Sequence, residues 1–399
     1  MSHRFNARTD VAVVGFAHSD VKRRAAHPLG VIALDTVQRA IADAGLTPEQ
    51  VDGFTTGSLL PSKGGHAVVD GVSIVTANWI AQHLRTNPRF CSGFQGYGQL
   101  AGSVMLAVDA IASGAADYVV LHRALHNPVG KYHENPMTHA EDADQWVAPQ
   151  GFWGPPAMIA LPYNEYLQRY GAQRESMAAV AVEARKNGAK IPWSYWRDKP
   201  LTAEEYIDAR MISEPINVID CDIPVDGVAA FVFTSAERAK DMPNKPVYVA
   251  GYAQGHPVNP RLPMHWTLDD IMDGGFETAR RLWEHSGLSR EDIDVPQLYD
   301  GFSPFIYIWL ESLGFCGVGE AHEFVQDGRI DADRGGLPIL SGGGAIGNGR
   351  MHGLPQMVEC YLQLSQRAGE RQLAKTDIGL ACHSSPHFGG GVLYSAERL

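Results

Sequence analysis

The sequence predicts an α/β protein built from two similar halves, and three observations predict it. A short apolar strand ending at glycine occurs twice, and an amphipathic helix with the same glycine-led exit occurs twice in the same order. The stretch between the copies is rich in aromatic residues and poor in strand signals. A repeat fixes architecture ahead of any local assignment, because each copy is one folding unit that buries part of its surface against the other.

The strand comes first. Val11-Ala12-Val13-Val14-Gly15-Phe16-Ala17 is echoed 236 residues on by Val247-Tyr248-Val249-Ala250-Gly251-Tyr252-Ala253. Both are short apolar runs that suit a buried strand. The helix follows: Leu34, Val37, Ile41 and Ala44 recur at helical spacing and lead into Gly45-Leu46-Thr47-Pro48-Glu49-Gln50-Val51-Asp52. Phe276, Ala279 and Trp283 lead likewise into Gly287-Leu288-Ser289-Arg290-Glu291-Asp292-Ile293-Asp294, 242 residues later. In each copy glycine ends the helix, Thr47 or Ser289 caps a new turn, and Glu49 or Glu291 stands near its positive end. The first half continues through a helix of small and apolar residues, Leu100 to Ala112, into a strand at Tyr118-Val119-Val120-Leu121. The second continues through Gln356 to Leu364 into Ile378-Gly379-Leu380-Ala381. Each half reads as strand, helix, strand and buried helix, with parallel sheets covered on both faces and the division at 1–245 and 246–399. Residues 125–200, rich in Trp, Pro, His and Tyr, read as an insertion that covers a pocket.

Composition removes whole classes of function. The chain has 399 residues, 33 basic and 45 acidic side chains, a net charge of −12, 45% apolar and 20% charged residues. That supports sizeable cores and excludes both a disulfide-stapled miniature fold and a disordered chain. The acidic balance disfavours nucleic acid and anionic membrane surfaces, which need concentrated Lys and Arg. No run approaches the roughly 18 apolar residues of a membrane span. The opening Met1-Ser2-His3-Arg4-Phe5-Asn6 lacks the apolar stretch of a secretory signal, so the expected compartment is the cytoplasm. Cys91, Cys221, Cys316, Cys360 and Cys382 are scattered, odd in number and never in C-x-x-C spacing, which suits reduced thiols rather than bridges or a zinc site. No phosphate-loop, H-E-x-x-H or calcium-loop signature occurs, and neither a metal nor a tightly held cofactor is expected.

A set of segments spanning nearly the whole chain then becomes specific. They are Ala40-Ile41-Ala42-Asp43-Ala44-Gly45-Leu46, Ala110-Ile111-Ala112-Ser113-Gly114-Ala115-Ala116-Asp117, Arg169-Tyr170-Gly171 with Val180-Ala181-Val182, Cys221-Asp222-Ile223-Pro224-Val225-Asp226-Gly227-Val228-Ala229-Ala230, the run Gly342 to Gly353, and Gly389-Gly390-Gly391. Together they resemble the thiolase superfamily, and within it the lipid-transfer-protein (sterol-carrier) type and its steroid side-chain-cleaving aldolase relatives. The resemblance implies a thiolase-like, five-layered αβαβα subunit made of two duplicated halves, usually a homodimer, with the active site where the halves meet.

A thiolase needs a cysteine nucleophile at the N-terminus of the first half's buried helix, where dipole and amides lower the thiol pKa. In the family it lies about twenty residues before the acid matched here by Asp117, and counting back reaches Tyr97. Cys91 sits six residues too early. A helix started there would carry Gly93, Gly96 and Gly98 in its first turns at about 1 kcal/mol each. The resemblance places Tyr299, in Leu298-Tyr299-Asp300-Gly301-Phe302-Ser303, at the family's second position. Arg350 falls at the third, with His352 the nearest base, and His387 at the fourth, a family cysteine. Tyr and His transfer protons and Arg holds an oxyanion, but none readily forms an acyl-thioester.

The expected activity is therefore that of an aldolase, a carbon–carbon lyase performing retro-aldol cleavage of a 3-hydroxyacyl-CoA without a cysteine nucleophile. Coenzyme A enters as part of the substrate. Aldolases similar to this chain use the tyrosine that matches Tyr299 and a second tyrosine where Arg350 stands, and arginine, with a pKa above ~12, shuttles no protons. The assignments are Tyr299 as principal acid/base, His352 as its partner, Arg350 as electrostatic stabiliser, and Tyr97 and His387 as polar pocket groups. The resemblance also implies a small OB-fold partner protein. The alternatives are an acetyl-CoA acetyltransferase or thiolase using Cys91 or Cys382, and a non-catalytic acyl or lipid carrier. Gly342 to Gly344 reads as close packing or as backbone approaching a ligand, and Trp146, Phe152, Trp153, His256 and His265 read as packed core.

Overall fold

Side chains along the central strands alternate between different cores, and that alternation builds the layers. The computed structural model describes residues 10–57, 75–94, 100–127, 144–150, 154–257 and 267–399. Its strands are β1 (Val11–His18), β2 (Gly53–Gly57), β3 (Phe90–Phe94), β4 (Tyr118–Leu125), β5 (Met211–Ser213), β6 (Ile216–Asn217), β7 (Gly227–Ser235), β8 (Val247–Gln254), β9 (Val295–Gln297), β10 (Ile378–Cys382) and β11 (Gly390–Ser395). β5 and β6 form a small ribbon, and the others run in the order β3-β2-β4-β7-β1-β8-β11-β10-β9. The order is a near-palindrome: β2-β4-β7-β1 is mirrored by β8-β11-β10-β9. The two copies join through the pairs Ala12↔Tyr248 and Val13↔Val247.

The expected parallel sheets are in fact mixed. β2 is parallel to β3 and β4, and β9 to β10, whereas β7 and β11 are antiparallel to the strands on both sides. The link from Cys382 to Gly390 shows why, since it is too short for the dozen-residue crossover that a parallel neighbour requires.

On the outer face of the first half, Ala12, Val14, Phe54, Val120 and Val232 pack against the helices Leu29–Asp43 and Ala77–Leu84. On the inner face, Val11, Val13, Leu121 and Phe231 meet the helices Leu100–Ala112 and Leu354–Leu364, and so do Val247, Val249 and Val392 from the second half. The far side of the second half, with Ala250, Leu380 and Leu393, packs on the helices Leu268–Ser286 and Phe305–Ser312. These are the five αβαβα layers.

Both strand glycines exist for close approach. A Cβ on Gly15 would lie 2.7 Å from the Ala40 carbonyl oxygen, and one on Gly251 would lie 3.1 Å from Ser286 Cβ. Gly45 and Gly287 end their helices with positive φ, 72° and 73°. The new turns that follow carry capping boxes, in which the Thr47 N–H donates to Gln50 Oε1 at 2.9 Å and the Ser289 N–H to Asp292 Oδ2 at 2.8 Å.

Three expectations change. Phe276 is exposed, because the helix Leu268–Ser286 buries Leu268, Ile271, Gly275, Thr278 and Leu282, a different stripe at helical spacing. Trp146 is 74% exposed and His256 is exposed, so neither is packed core, while Phe152, Trp153 and His265 lie outside the described residues. The described part of the insertion supplies the helices Pro155–Tyr170 and Ala178–Gly188, which cover the second half: Tyr166 donates to Glu311 Oε1 at 2.5 Å, and Gly188 packs against the Gly347 backbone. Among the described residues no helix is long and apolar enough to cross a membrane.

Candidate active site

β9 is a three-residue strand, and the chain leaves it at the carboxyl end of a parallel pair, where open sheets leave a crevice. The residues that follow carry the Tyr-Asp-Gly-Phe motif. Asp300 is fully buried and accepts from the N–H groups of Ala345 at 2.6 Å and Ile346 at 3.0 Å and from Gln356 Nε2 at 3.1 Å. Burial still pushes its carboxyl up to about 6, although those bonds pull it down. Gly344 has φ +57°, and a Cβ there would run into the Asp300 carboxylate. The glycine run is thus close packing: the amides at the start of the helix Gly344–Asn348 hold Asp300.

Tyr299 is 7% exposed, with its ring stacked on Phe305 at 6.2 Å and its hydroxyl lying over the Gly301 Cα. Burial and the carboxyls of Asp222 and Asp300 push the phenol well above its ordinary value, while Arg350 and Arg123 act the other way. At neutral pH it is a donor. Arg350 is half-buried, and its N–H donates to the Ile223 carbonyl at 2.8 Å. His352 sits two residues on with a left-handed φ of 45°, and its carbonyl accepts from Arg123 Nη1 at 2.8 Å. His387 is 3% exposed, 3.3 Å from Ser385 Oγ, and its ring tilts against Phe305 at 6.0 Å. Burial lowers its pKa to about 3, so the ring is neutral at physiological pH.

The structure thus brings Tyr299, Arg350 and the His352 backbone around Arg123, with His387 also against Phe305. Tyr97 lies outside the described residues. Neither thiol is placed as a nucleophile. On β3, Phe90 faces the inner layer and Cys91 the outer one, so the first-half sheet separates Cys91 from Arg123, which shares the inner face of β4 with Leu121 and Leu125. Cys382 is fully buried in the outer core of the second half, a core that Tyr299 shares. Burial pushes both thiols up, the reverse of what a nucleophile needs.

Three residues escaped the sequence reading. Arg123 is 1% exposed in a strand that is apolar apart from it, Tyr118 and His122, and burial lowers its pKa to about 10. A lone buried charge in a strand was the available signal. His383 follows β10, lies 2.9 Å from the Gly353 carbonyl through Nδ1, and is lowered to about 4 by burial. Asp222 belongs to the conspicuous segment Cys221 to Ala230, but nothing local distinguishes it from Asp220 and Asp226.

A profile of the thiolase C-terminal domain-like family matches residues 268–396. The 17-hydroxy-3-oxo-4-pregnene-20-carboxyl-CoA lyase of Mycobacterium tuberculosis is 34% identical over 363 residues, 88% of this chain and 91% of that protein. The steroid side-chain-cleaving aldolase of Thermomonospora curvata is 32% identical over 358 residues, 87% and 88% of the two chains. A solved structure described as an Ltp2-ChsH2(DUF35) aldolase superposes with a TM-score of 0.85 at 29% identity, covering 98% of this chain and 99% of that one. The chain belongs to the thiolase superfamily, in the lipid-transfer-protein-type branch that includes the steroid side-chain-cleaving aldolases.

Proposed function

We propose that this chain is a carbon–carbon lyase that cleaves a 3-hydroxyacyl-CoA, with a steroid-type acyl group, into a carbonyl compound and a shortened acyl-CoA. The observation that carries the reading is a buried phenol flanked by two guanidinium groups, with Cys91 facing the outer layer of the first half and the Cys382 thiol sealed in the core and pushed up by burial. Both relatives named above are a lyase and an aldolase, which supports the same class.

In a retro-aldol step the substrate hydroxyl loses its proton, the carbon–carbon bond breaks, and its electron pair becomes a thioester enolate. Arg350 and Arg123 hold that negative charge, and Tyr299 donates the proton that completes the acyl-CoA. His352 and His387 are polar neighbours of this chemistry. Coenzyme A arrives with the substrate, and no tightly held cofactor takes part. The working form is a cytoplasmic homodimer with a small OB-fold partner. The solved Ltp2-ChsH2(DUF35) aldolase, which carries two names, supports a partner protein.

The test incubates the protein, with and without such a partner, with 17-hydroxy-3-oxo-4-pregnene-20-carboxyl-CoA and simpler 3-hydroxyacyl-CoAs and follows products by mass spectrometry. The expected products are a ketone and a shorter acyl-CoA. Replacing all five cysteines by serine leaves turnover intact, and Tyr299→Phe lowers it about 10²–10⁴-fold with acyl-CoA affinity kept. Acyl labelling of a cysteine with loss of turnover makes the chain an acyltransferase; acyl-CoA binding without any product makes it a carrier.

A further inference from the structure

The proposed cleavage needs a base for the substrate hydroxyl, and Tyr299, held protonated by its surroundings, is the acid. Four carboxylates lie in or beside the two loops that frame it. Three are occupied by the protein itself. Asp220 accepts from Tyr206 at 2.8 Å, from the Asn217 N–H at 2.8 Å and from Ser303. Asp226 accepts from the N–H groups of Ala25 at 2.8 Å and Asn127 at 2.7 Å. Asp300 takes the two amides and Gln356 described above. The fourth, Asp222, receives no hydrogen bond at its carboxylate among the described residues.

Its position is nonetheless fixed on both sides. The Asp222 N–H donates to the Gly301 carbonyl at 3.2 Å, and Cys221 forms an antiparallel bridge with Phe302. The next residue, Ile223, accepts from the Arg350 N–H at 2.8 Å. Asp222 is thus tied to Gly301, over which the Tyr299 hydroxyl lies, and to the loop that presents Arg350. The residue is half-buried.

We propose that Asp222 is the general base of the cleavage, taking the substrate 3-hydroxyl proton while Tyr299 supplies the proton to the enolate. The inference rests on the lyase reading. The O–H proton goes to the Asp222 carboxylate, the oxygen electrons form the new carbonyl, and the bond to the α-carbon breaks with its pair entering the thioester enolate. Tyr299 then protonates the α-carbon, and the Asp222 proton returns to the phenolate through water, so both groups end as they began. The charged and titratable groups facing Asp222 are Tyr299 and Asp300 from the loop after β9 and Arg350 from the glycine loop, with Arg123 beyond them and Cys221 beside it. Burial and Asp300 raise its carboxyl to about 7, against the pull of Arg350, which suits a base working near neutral pH.

The experiment measures kcat/KM against pH for the wild type, Asp222→Asn, Asp222→Glu and His352→Gln on a 3-hydroxyacyl-CoA. Acyl-CoA affinity and thermal unfolding are recorded for each. The wild type should gain activity tenfold per pH unit up to about pH 7, because only the ionised carboxylate accepts a proton. Asp222→Asn should lose 10²–10⁴-fold in kcat and lose that acidic limb, with affinity and unfolding temperature kept, and Asp222→Glu should restore part of the rate and the limb. His352→Gln should retain the limb. Cleavage by Asp222→Asn at wild-type rate, or with the limb unchanged while His352→Gln loses it, overturns the inference and leaves the lyase reading standing. Absence of cleavage by the wild type overturns both.

Discussion

The hydroxyl of Tyr299 lies against a glycine, so the proposed catalytic geometry depends on an atom that is missing. A Cβ at position 301 would occupy the space of that hydroxyl and of its ring edge, and the phenol would have to swing away from Asp222 and Arg350. Gly301 lacks a positive φ, so alanine meets no backbone strain there and the fold should survive. Gly301→Ala is expected to lower kcat by about 10²-fold, the usual cost of misplacing a reacting group by about an ångström. The unfolding temperature should change by only a few degrees. Steady-state kinetics beside a thermal melt checks this, and unchanged kcat would show that the phenol position does not matter. Gly344 is the contrasting case. Its φ of +57° and its contact with the Asp300 carboxylate combine, so Gly344→Ala should impair folding itself.

The duplication runs below the level of strands and helices to single carboxylates. Asp52 accepts from the N–H groups of Asp117 and Tyr118, both at 2.9 Å, and so ties the start of β4 to the turn before β2. Asp294, 242 residues later, does the same for β10, accepting from Asp377 at 2.8 Å and Ile378 at 3.1 Å. The Asp294 side chain is only 6% exposed and carries an ion pair with Lys375. Asp294→Ala leaves two amides and a lysine without their acceptor and should cost about 1–3 kcal/mol in denaturant unfolding. A change below about 0.5 kcal/mol would show the tie to be ornamental. The strands at Val11 and Val247 and the glycine-led turns were legible in the sequence because local chemistry, an apolar run and a φ that favours glycine, dictates them. The antiparallel placement of β7 and β11 was not, since it depends on which neighbours the links can reach. The site divides in the same way: Tyr299 and Arg350 stand in motifs, whereas Arg123 and Asp222 acquire their meaning only when β4, the 221–223 segment and two loops converge.

At the scale of the molecule the halves share one interior. The inner layer mixes Val11, Val13, Leu121 and Phe231 with Met357, Tyr361, Val247 and Val392, so neither half has a complete core of its own. Polar ties cross the same boundary. Arg367 Nη2 reaches Asp43 Oδ1 at 2.8 Å, Arg398 pairs with Asp10, and Arg123 reaches the His352 carbonyl at 2.8 Å. The last of these also means that the proposed reacting cluster draws Arg123 from one half and Tyr299 and Arg350 from the other, so assembling that site and burying the inner layer are the same event. We therefore expect fragments 1–245 and 246–399, expressed separately, to lack a cooperative thermal transition and to bind the apolar dye ANS, because each exposes a face built to be covered. Co-expression should restore one shared transition and, with it, cleavage. A cooperative melt from the isolated second fragment would mean that its outer helices suffice for a core and that the inner layer only docks preformed halves.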